Sequence, residues 1–136
     1  MPLPDRVLID TSAFYALLSA SDTFHARASA TFDRSADRDQ EMWTTSYVLV
    51  ECMALVHRRL GFQALQQFVG FVRANTNVFW IERSIHTEAE RRLLDSLGSG
   101  LSFVDWTLAL ASNATGAHVF TFDRGFANQG IPVIPR

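Results

Sequence analysis

Lysine is absent from the 136-residue sequence, and all twelve basic side chains are arginines. A phosphate-binding P-loop and the receiver domain of response regulators both need a lysine, so the sequence excludes these two classes. Together with 14 acidic residues, the arginines give a formal net charge of −2. Because the chain as a whole has no excess of positive charge, strong non-specific binding to duplex DNA is not expected.

Cysteine and long hydrophobic runs are also scarce. The single cysteine, Cys52, cannot form an internal disulfide, and with no base identifiable beside it we interpret it as a core residue rather than a nucleophile. The start of the chain lacks the features of a secretion signal, and no uncharged stretch reaches the ~20 residues that cross a bilayer. We therefore expect a cytoplasmic protein without a membrane segment. A hydrophobic content of 48% predicts a single domain, residues 1–136, with one core.

Hydrophobic periodicity predicts alternating strands and helices. The first strand is Val7-Leu8-Ile9, and a helix follows it after the capping residues Asp10-Thr11-Ser12. Further strands are predicted at 42–45, 78–81, 118–122 and 133–134, the last at an edge of the sheet, and further helices at 22–34, 46–60 (capped by Ser46), 62–72, 87–97 and 102–116. This alternation predicts an α/β fold, a single three-layer α/β/α domain with a mainly parallel sheet. Such sheets bind their ligands at the carboxyl ends of the strands.

Two acidic residues stand at the ends of predicted strands. Asp10 follows the first strand directly, and Asp123 follows the strand at 118–122. Parallel strands end at the same edge of a sheet, so both acids are predicted to lie there.

Two further acids are isolated within apolar helices. Glu51 is the only charged residue between Tyr47 and Val56, and Asp105 is the only one between positions 101 and 114. Asp105 lies in the first turn of its helix, and first turns in these folds begin at the carboxyl edge of the sheet. Buried acids require an explanation, because burial without compensation is costly.

Each of the four acids also has a purely structural explanation. Asp10 could cap the following helix, and Asp105 could complete a capping box, which contributes ~1 kcal/mol. Asp123 could be a turn residue. Glu51 could form an ion pair with an arginine such as Arg58, although a buried pair breaks even only with good geometry.

If the four carboxylates converge, repulsion constrains their chemistry. Two like charges ~4 Å apart cost ~4 kcal/mol at an effective dielectric constant near 20, so a cation must lie between them. Oxygen ligands without histidine or cysteine select Mg²⁺ or Mn²⁺. The four histidines show no zinc-ligand spacing. Carboxylate-bound divalent ions activate water and stabilise phosphoryl oxygens, which makes phosphodiester hydrolysis the natural reaction.

At this point the residues resemble a known family, the PIN domains, and in particular the VapC-type toxins of toxin–antitoxin pairs. Asp10-Thr11-Ser12 is similar to the opening motif, in which the acid binds metal and the hydroxyl residues order the site. Glu51 matches the second acid of the family. Leu101 to Asp105 is similar to the third motif, and Thr121 to Phe126 to the fourth, whose threonine is also a site residue.

The resemblance implies an endoribonuclease that cuts single-stranded or looped RNA with one or two Mg²⁺ or Mn²⁺ ions. It also implies a homodimer and an antitoxin protein that covers the site. Arg124, beside an acid, is the best candidate for a phosphate contact. The arginines at 58, 59, 91 and 92 are at least as well explained as solvated helix faces or antitoxin contacts. Trp106 departs from the family, which usually has a smaller residue there, so the resemblance does not fix the shape of the pocket.

Two alternatives belong to other functional classes. A phosphatase using Asp10 as a covalent nucleophile is disfavoured, because such chemistry needs a second acid where this chain has Ser12, and a lysine. A catalytically inactive PIN-like module that binds RNA or protein is the other alternative. The four intact acids argue against it.

Overall fold

Short apolar runs form a five-stranded sheet in the computed structural model, which describes residues 6–135. The strand order is β3-β2-β1-β4-β5 and every pairing is parallel. The predicted parallel sheet is thus confirmed, with the 133–134 strand at an edge. The strands are β1 (Arg6–Ile9), β2 (Glu41–Thr45), β3 (Asn77–Phe79), β4 (His118–Phe120) and β5 (Val133–Ile134).

Seven helices within residues 6–135 connect and cover these strands. They are α1 (Thr11–Leu18), α2 (His25–Asp37), α3 (Ser46–Leu60), α4 (Phe62–Asn75), α5 (Arg83–Asp95), α6 (Phe103–Thr115) and α7 (Gly125–Asn128). Helix α3 contacts β2, and α6 contacts β1 and β4, while α1 packs on α2, α3 on α4 and α5 on α6. The architecture is the predicted three-layer α/β fold.

The core lies between the central strand and the helices. Val7, Leu8 and Ile9 of β1 are buried, and the rings of Phe14 and Phe68 meet edge to face with centroids 5.2 Å apart. Cys52 is fully buried in the same core, and burial, with smaller contributions from nearby acids, raises the pKa of its thiol to about 12. The interpretation of Cys52 as a core residue is confirmed.

Several element boundaries differ from the prediction. Helix α2 begins at His25 rather than at position 22, because the Asp22 side chain accepts a hydrogen bond from the Phe24 amide (2.8 Å) and holds a turn there. Helix α5 begins at Arg83 and ends at Asp95, earlier than predicted, and α7 was not predicted. Such local turns have no hydrophobic period to reveal them.

The cap of α3 was also predicted wrongly. Its N-cap is Thr45, whose side chain accepts a hydrogen bond from the Val48 amide (3.1 Å). The Ser46 hydroxyl instead accepts a hydrogen bond from the Ile81 amide (3.0 Å), which ties α3 to the segment after β3.

Among residues 6–135, no helix is both long and apolar enough to cross a membrane. Residues 1–5 and 136, which complete the predicted domain and include the chain start considered above, lie outside the described residues.

Candidate active site

Asp10 and Thr121 leave the sheet side by side. Ile9 of β1 pairs with Phe120 of β4, so the next residue of each strand lies at the carboxyl edge. The Asp10 amide continues the ladder by donating to the Phe120 carbonyl (2.9 Å). The Asp10 side chain is only 3% exposed. Neighbouring parallel strands therefore position this acid, as the sequence predicted.

Hydroxyl groups surround the Asp10 carboxylate. Its Oδ2 accepts hydrogen bonds from Thr121 Oγ1 (2.8 Å) and Ser12 Oγ (3.1 Å). The two hydroxyls also lie 3.2 Å from each other. They accept in turn from main-chain amides: Ser12 from Phe122 (3.0 Å) and Thr121 from Asp123 (2.9 Å). This network joins the start of α1 to the segment after β4.

The charge on Asp10 is only partly compensated. Burial, together with the nearby negative charge of Asp105, raises the pKa of its carboxyl to about 7, although the hydrogen bonds from Thr121, Thr11 and Ser12 oppose the shift. Asp10 stands at the N-cap position of α1, yet its side chain makes no capping hydrogen bond. Helix capping therefore does not explain this acid.

Glu51 points its carboxylate at the start of α1. Its Oε1 accepts a hydrogen bond from Thr11 Oγ1 at 2.7 Å, a contact between residues 40 positions apart. Among the residues the structure describes, no ion pair with Arg58 or another arginine is recorded for Glu51. The ion-pair explanation is not realised.

Asp105 completes the predicted capping box at the start of α6. Its Oδ2 accepts from the Ser102 amide (2.9 Å), and its own amide donates to the Ser102 hydroxyl (3.1 Å). Burial still raises the pKa of this carboxyl, and the negative charges of Asp123 and Glu51 add to the shift. The structural explanation of Asp105 is correct, and the same side chain also lies in the field of the other acids.

Asp123 holds the turn that leads into α7. Its Oδ1 accepts a hydrogen bond from the Gly125 amide (2.8 Å). A Cβ atom on Gly125 would lie 2.8 Å from Leu101 Cδ2 and 3.1 Å from Asp123 Oδ1. Glycine therefore allows this turn to approach the segment before α6.

The four acids differ in their exposure to solvent more than the sequence indicated. Only Asp10 is buried, Glu51 and Asp105 are partly exposed, and Asp123 is exposed. An apolar stretch does not ensure burial: Val50, next to Glu51, is 70% exposed. The expectation that acids within apolar helices are buried was wrong for Glu51 and Asp105, which are partly exposed.

The acids form one electrostatic cluster that is not arranged as a finished ligand shell. The charge effects link Asp105 to Asp10, Glu51 and Asp123. Within residues 6–135, however, no three Asp, Glu, His or Cys side chains are placed to hold a metal ion as they stand. Hydrogen bonds from the protein occupy part of each carboxylate instead. The oxygen-only donor set and the surplus of negative charge suit a hard divalent cation.

Two grooves open beside the cluster. One, of about 480 Å³, is lined by Thr11, Ser12, Arg59 and Asp123 among others. The other, also of about 480 Å³, is lined by Phe24, Arg27, Thr121, Phe122, Asp123 and Arg124 among others, and we call it the acid-site groove. Two sequence candidates for phosphate contact, Arg59 and Arg124, thus face a groove that reaches an acid.

Arg91, Arg92 and Trp106 lie away from both grooves. Arg91 and Arg92 pair with Glu88 along α5, as expected for a solvated helix face. Trp106 is 5% exposed and packs beneath Arg92, whose guanidinium carbon is 6.0 Å from the ring centre. Trp106 lines neither groove.

Sequence reasoning missed an aromatic pair at the site. The rings of Phe24 and Phe122 stack with centroids 4.6 Å apart and planes 9° apart, and both residues line both grooves. Phe122 lies within a motif that the sequence singled out, but Phe24 lies in a turn before α2 and carries no local signal.

Comparisons with known proteins agree on one family. A model of the PIN domain family matches residues 7–131. The crystal structure of VapC20 from Mycobacterium tuberculosis, described as a sarcin-ricin loop cleaving toxin, is 25% identical and superposes with a TM-score of 0.82 over 92% of this chain and 95% of that chain. DNA-bound VapBC from Salmonella typhimurium is 20% identical with a TM-score of 0.70, over 94% of this chain and 96% of that chain. VapBC2 from Rickettsia felis, bound to a promoter DNA fragment, is 12% identical with a TM-score of 0.72 over the same shares. No curated protein matches in sequence.

Proposed function

The chain belongs to the PIN domain family, and we propose that it is a metal-dependent endoribonuclease that hydrolyses phosphodiester bonds in single-stranded or looped RNA. The observation that carries the proposal is the convergence of four carboxylates. Asp10, Glu51, Asp105 and Asp123 come from four separate segments, and their charges act on one another at one edge of the sheet. A stable fold gains nothing from this repulsion unless a cation relieves it.

Mg²⁺ or Mn²⁺, as one or two ions, would be held by the carboxylates of Asp10, Glu51, Asp105 and Asp123. When bound, such an ion lowers the pKa of a coordinated water and neutralises the charge that develops on a phosphoryl oxygen. No other strong cationic partner reaches Asp10, because the groups that bond to its side chain within the described residues are hydroxyls and an amide.

The neighbouring residues have positioning roles in this proposal. Thr121 and Ser12 fix the orientation of the Asp10 carboxylate, and Thr11 fixes that of Glu51. Arg124 lines the acid-site groove next to Asp123, where a guanidinium can pair with a substrate phosphate.

We further propose that this ribonuclease is the toxin of a toxin–antitoxin pair. VapC20 is described as cleaving the sarcin-ricin loop and shares 25% identity with this chain over most of its length. That loop is therefore the first RNA to test. The VapBC complexes among the structural neighbours support an antitoxin protein as partner, which we expect to cover the acid cluster.

A homodimer is the assembly that we propose for the free protein. Large apolar side chains are exposed around α5, including Trp80 (72%), Leu94 (81%) and Leu97 (102%). Leu94 and Leu97 lie three residues apart in sequence, and exposed apolar side chains that lie close together are typical of an interface. Light scattering should give twice the chain mass, and Leu94→Glu should shift the protein toward the monomer. An unchanged monomeric mass for both would contradict the dimer.

Cleavage by the wild type and an Asp10→Asn variant tests the activity. Both proteins are incubated with an end-labelled sarcin-ricin loop and with total RNA, in Mn²⁺, in Mg²⁺ and in chelator. We expect discrete cuts by the wild type in either metal, none in chelator, and a loss of at least ~100-fold in the variant. Asp33→Asn is the matched control, since Asp33 is exposed on α2 and lines neither groove.

The inactive binding module remains the second candidate, and one observation favours it: no three acids within residues 6–135 are preassembled as ligands. Titration with Mn²⁺, measured by calorimetry, distinguishes the nuclease from the binding module. Binding that Asp10→Asn abolishes supports the nuclease, whereas a folded wild type that binds RNA without Mn²⁺ binding or cleavage supports the module.

A further inference from the structure

Three arginines form a stripe along α2. Arg27 and Arg34 lie in α2, and Arg38 is its C-cap residue; spaced by seven and four residues, the three lie along one side of the helix over a length of about 16 Å. All three are exposed. Of the acids of this helix, Asp33 lies away from that side, whereas Asp37 is three residues from Arg34 and borders the stripe.

This stripe lines a groove of about 560 Å³, which we call the arginine groove. Its walls include the three arginines together with His118 of β4, Ile134 of β5 and Pro135, and none of the described residues that line it is acidic. Within the described part of the chain, neither Arg34 nor Arg38 forms an ion pair. The guanidinium groups of Arg34 and Arg38 thus face a concave surface that offers them no acidic side chain among residues 6–135.

The arginine groove continues into the acid-site groove. Arg27 and Pro135 line both, and the acid-site groove then leads past the stacked rings of Phe24 and Phe122 to Thr121 and Asp123. A ligand leaving the carboxylate cluster along this path meets first the exposed ring of Phe24, stacked on Phe122, and then a row of positive charges. This order matches a nucleic acid strand, whose bases stack on aromatic faces while its phosphates pair with arginine.

We propose that the arginine groove binds the backbone of the RNA substrate on one side of the scissile bond, with Arg34 and Arg38 contacting phosphates and Phe24 stacking a base. This inference rests on the proposed ribonuclease function and adds an extended substrate-binding site to it. An acidic protein segment would also pair with the arginines, but the adjoining aromatic pair and the direct continuity with the acid cluster favour RNA.

The test compares three proteins: the wild type, Arg34→Ala/Arg38→Ala, and Arg73→Ala/Arg83→Ala. The control pair removes the same charge from exposed positions on α4 and α5 that line neither groove. Alanine is a good helix former, so we expect all three to fold, which circular dichroism checks. Binding of a long single-stranded RNA with 2′-O-methyl sugars, which resists cleavage, is measured by fluorescence anisotropy in chelator over a range of salt concentrations.

We expect the Arg34/Arg38 variant to bind the long strand about tenfold more weakly. Its plot of log affinity against log salt should be shallower by about 1.4, since each lost phosphate contact on a single strand removes ~0.7. The control pair should keep the wild-type slope. An Arg34→Lys/Arg38→Lys variant should also keep most of the slope, because it retains the charge.

Cleavage kinetics test this inference independently of the ribonuclease function on which it rests. On a long substrate the Arg34/Arg38 variant should show a raised KM with an unchanged kcat, and on a trinucleotide it should match the wild type. If the wild type cleaves RNA and the variant has the same KM and the same salt slope, the ribonuclease stands and the arginine groove proposal is overturned. Loss of affinity for poly-glutamate without loss of affinity for RNA would also overturn it, as would a wild type that binds no RNA.

Discussion

The two sides of the carboxylate cluster are held by contacts of very different range. On the buried side, Thr121 reaches Asp10 across 111 residues of sequence. On the exposed side, Asp105 is held by Ser102 and Asp123 by Gly125, at separations of three and two residues. The buried side exists only once β1 and β4 have paired, whereas the exposed side needs only a helix start and a turn.

Because of this difference, the contribution of each acid to fold stability need not follow its contribution to function. A buried carboxylate with a raised pKa destabilises the fold when it is charged, so its neighbours must compensate for it. A cap or turn carboxylate near the surface costs the fold little. We therefore expect all four acids to be needed for full catalytic activity but to contribute very unequally to stability.

The largest effect on stability should come from the charge of Asp10. Its carboxyl has a pKa of about 7 in the fold and an ordinary value of 3.8, so the folded state binds more protons between these values. Its stabilising contribution is thus complete below pH ~4 and is lost as the pH rises through 7. Without added metal, the free energy of unfolding should fall over this range, by an amount on the order of a few kcal/mol.

Urea denaturation of the wild type and Asp10→Asn at several pH values measures this effect. The amide cannot ionise, so the difference in stability between the two proteins isolates Asp10 from all other titrating groups. The free energy of unfolding of the variant should increase relative to that of the wild type as the pH rises. A difference in stability that is independent of pH would contradict the prediction that the charged Asp10 carboxylate destabilises the fold.

The next largest effect is predicted for Thr121→Val. The change removes a hydroxyl that donates to the buried carboxylate and accepts from the Asp123 amide. We expect a loss of about 2 kcal/mol in the free energy of unfolding, because hydrogen bonds to charged groups are the stronger ones.

Thr44→Val is the matched control for this change. Thr44 is equally buried, but its hydroxyl donates to the neutral carbonyl of Ile9 (2.9 Å), for which about 1 kcal/mol is expected. Equal losses in the two variants would mean that the Thr121 hydroxyl does not act through the charge of Asp10.

The range of these contacts also explains what the sequence could predict. Asp10 and Asp123 were placed at one edge because parallel strands end together, and the Ser102 to Asp105 capping box was legible within four residues. These inferences needed only a period or a local pattern. The parallel sheet followed from the same alternation of strands and helices.

What the sequence could not predict depends on how α2 packs. The stacking of Phe24 on Phe122 joins residues 98 positions apart, and the arginine stripe acquires meaning only because β4 and β5 form the other wall of its groove. The seven-residue and four-residue spacing of the arginines was present in the sequence. Without the position of the sheet, it is indistinguishable from an ordinary solvated helix face.

A smaller effect is expected from Ser102→Ala on the exposed side. The serine hydroxyl accepts from the Asp105 amide at the start of α6. Its loss should cost about 1 kcal/mol, the usual value of an N-cap, measured by urea denaturation. The pH dependence assigned to Asp10 should be unchanged. A loss of about 3 kcal/mol or more would place this cap among the long-range contacts and remove the contrast between the two sides.

The smallest effect on stability should come from Asp123→Asn, for which the effects on stability and on cleavage should differ most. The amide oxygen of asparagine can still accept from the Gly125 amide, so the turn into α7 keeps its hydrogen bond. The residue is exposed, and the free energy of unfolding should change by no more than about 0.5 kcal/mol. Cleavage in Mn²⁺ should nevertheless fall at least ~10-fold, because the variant removes a negative charge from the cluster that would hold the metal. A variant that loses stability without losing activity would mean that Asp123 serves the turn alone, and the cluster would then contain three functional acids.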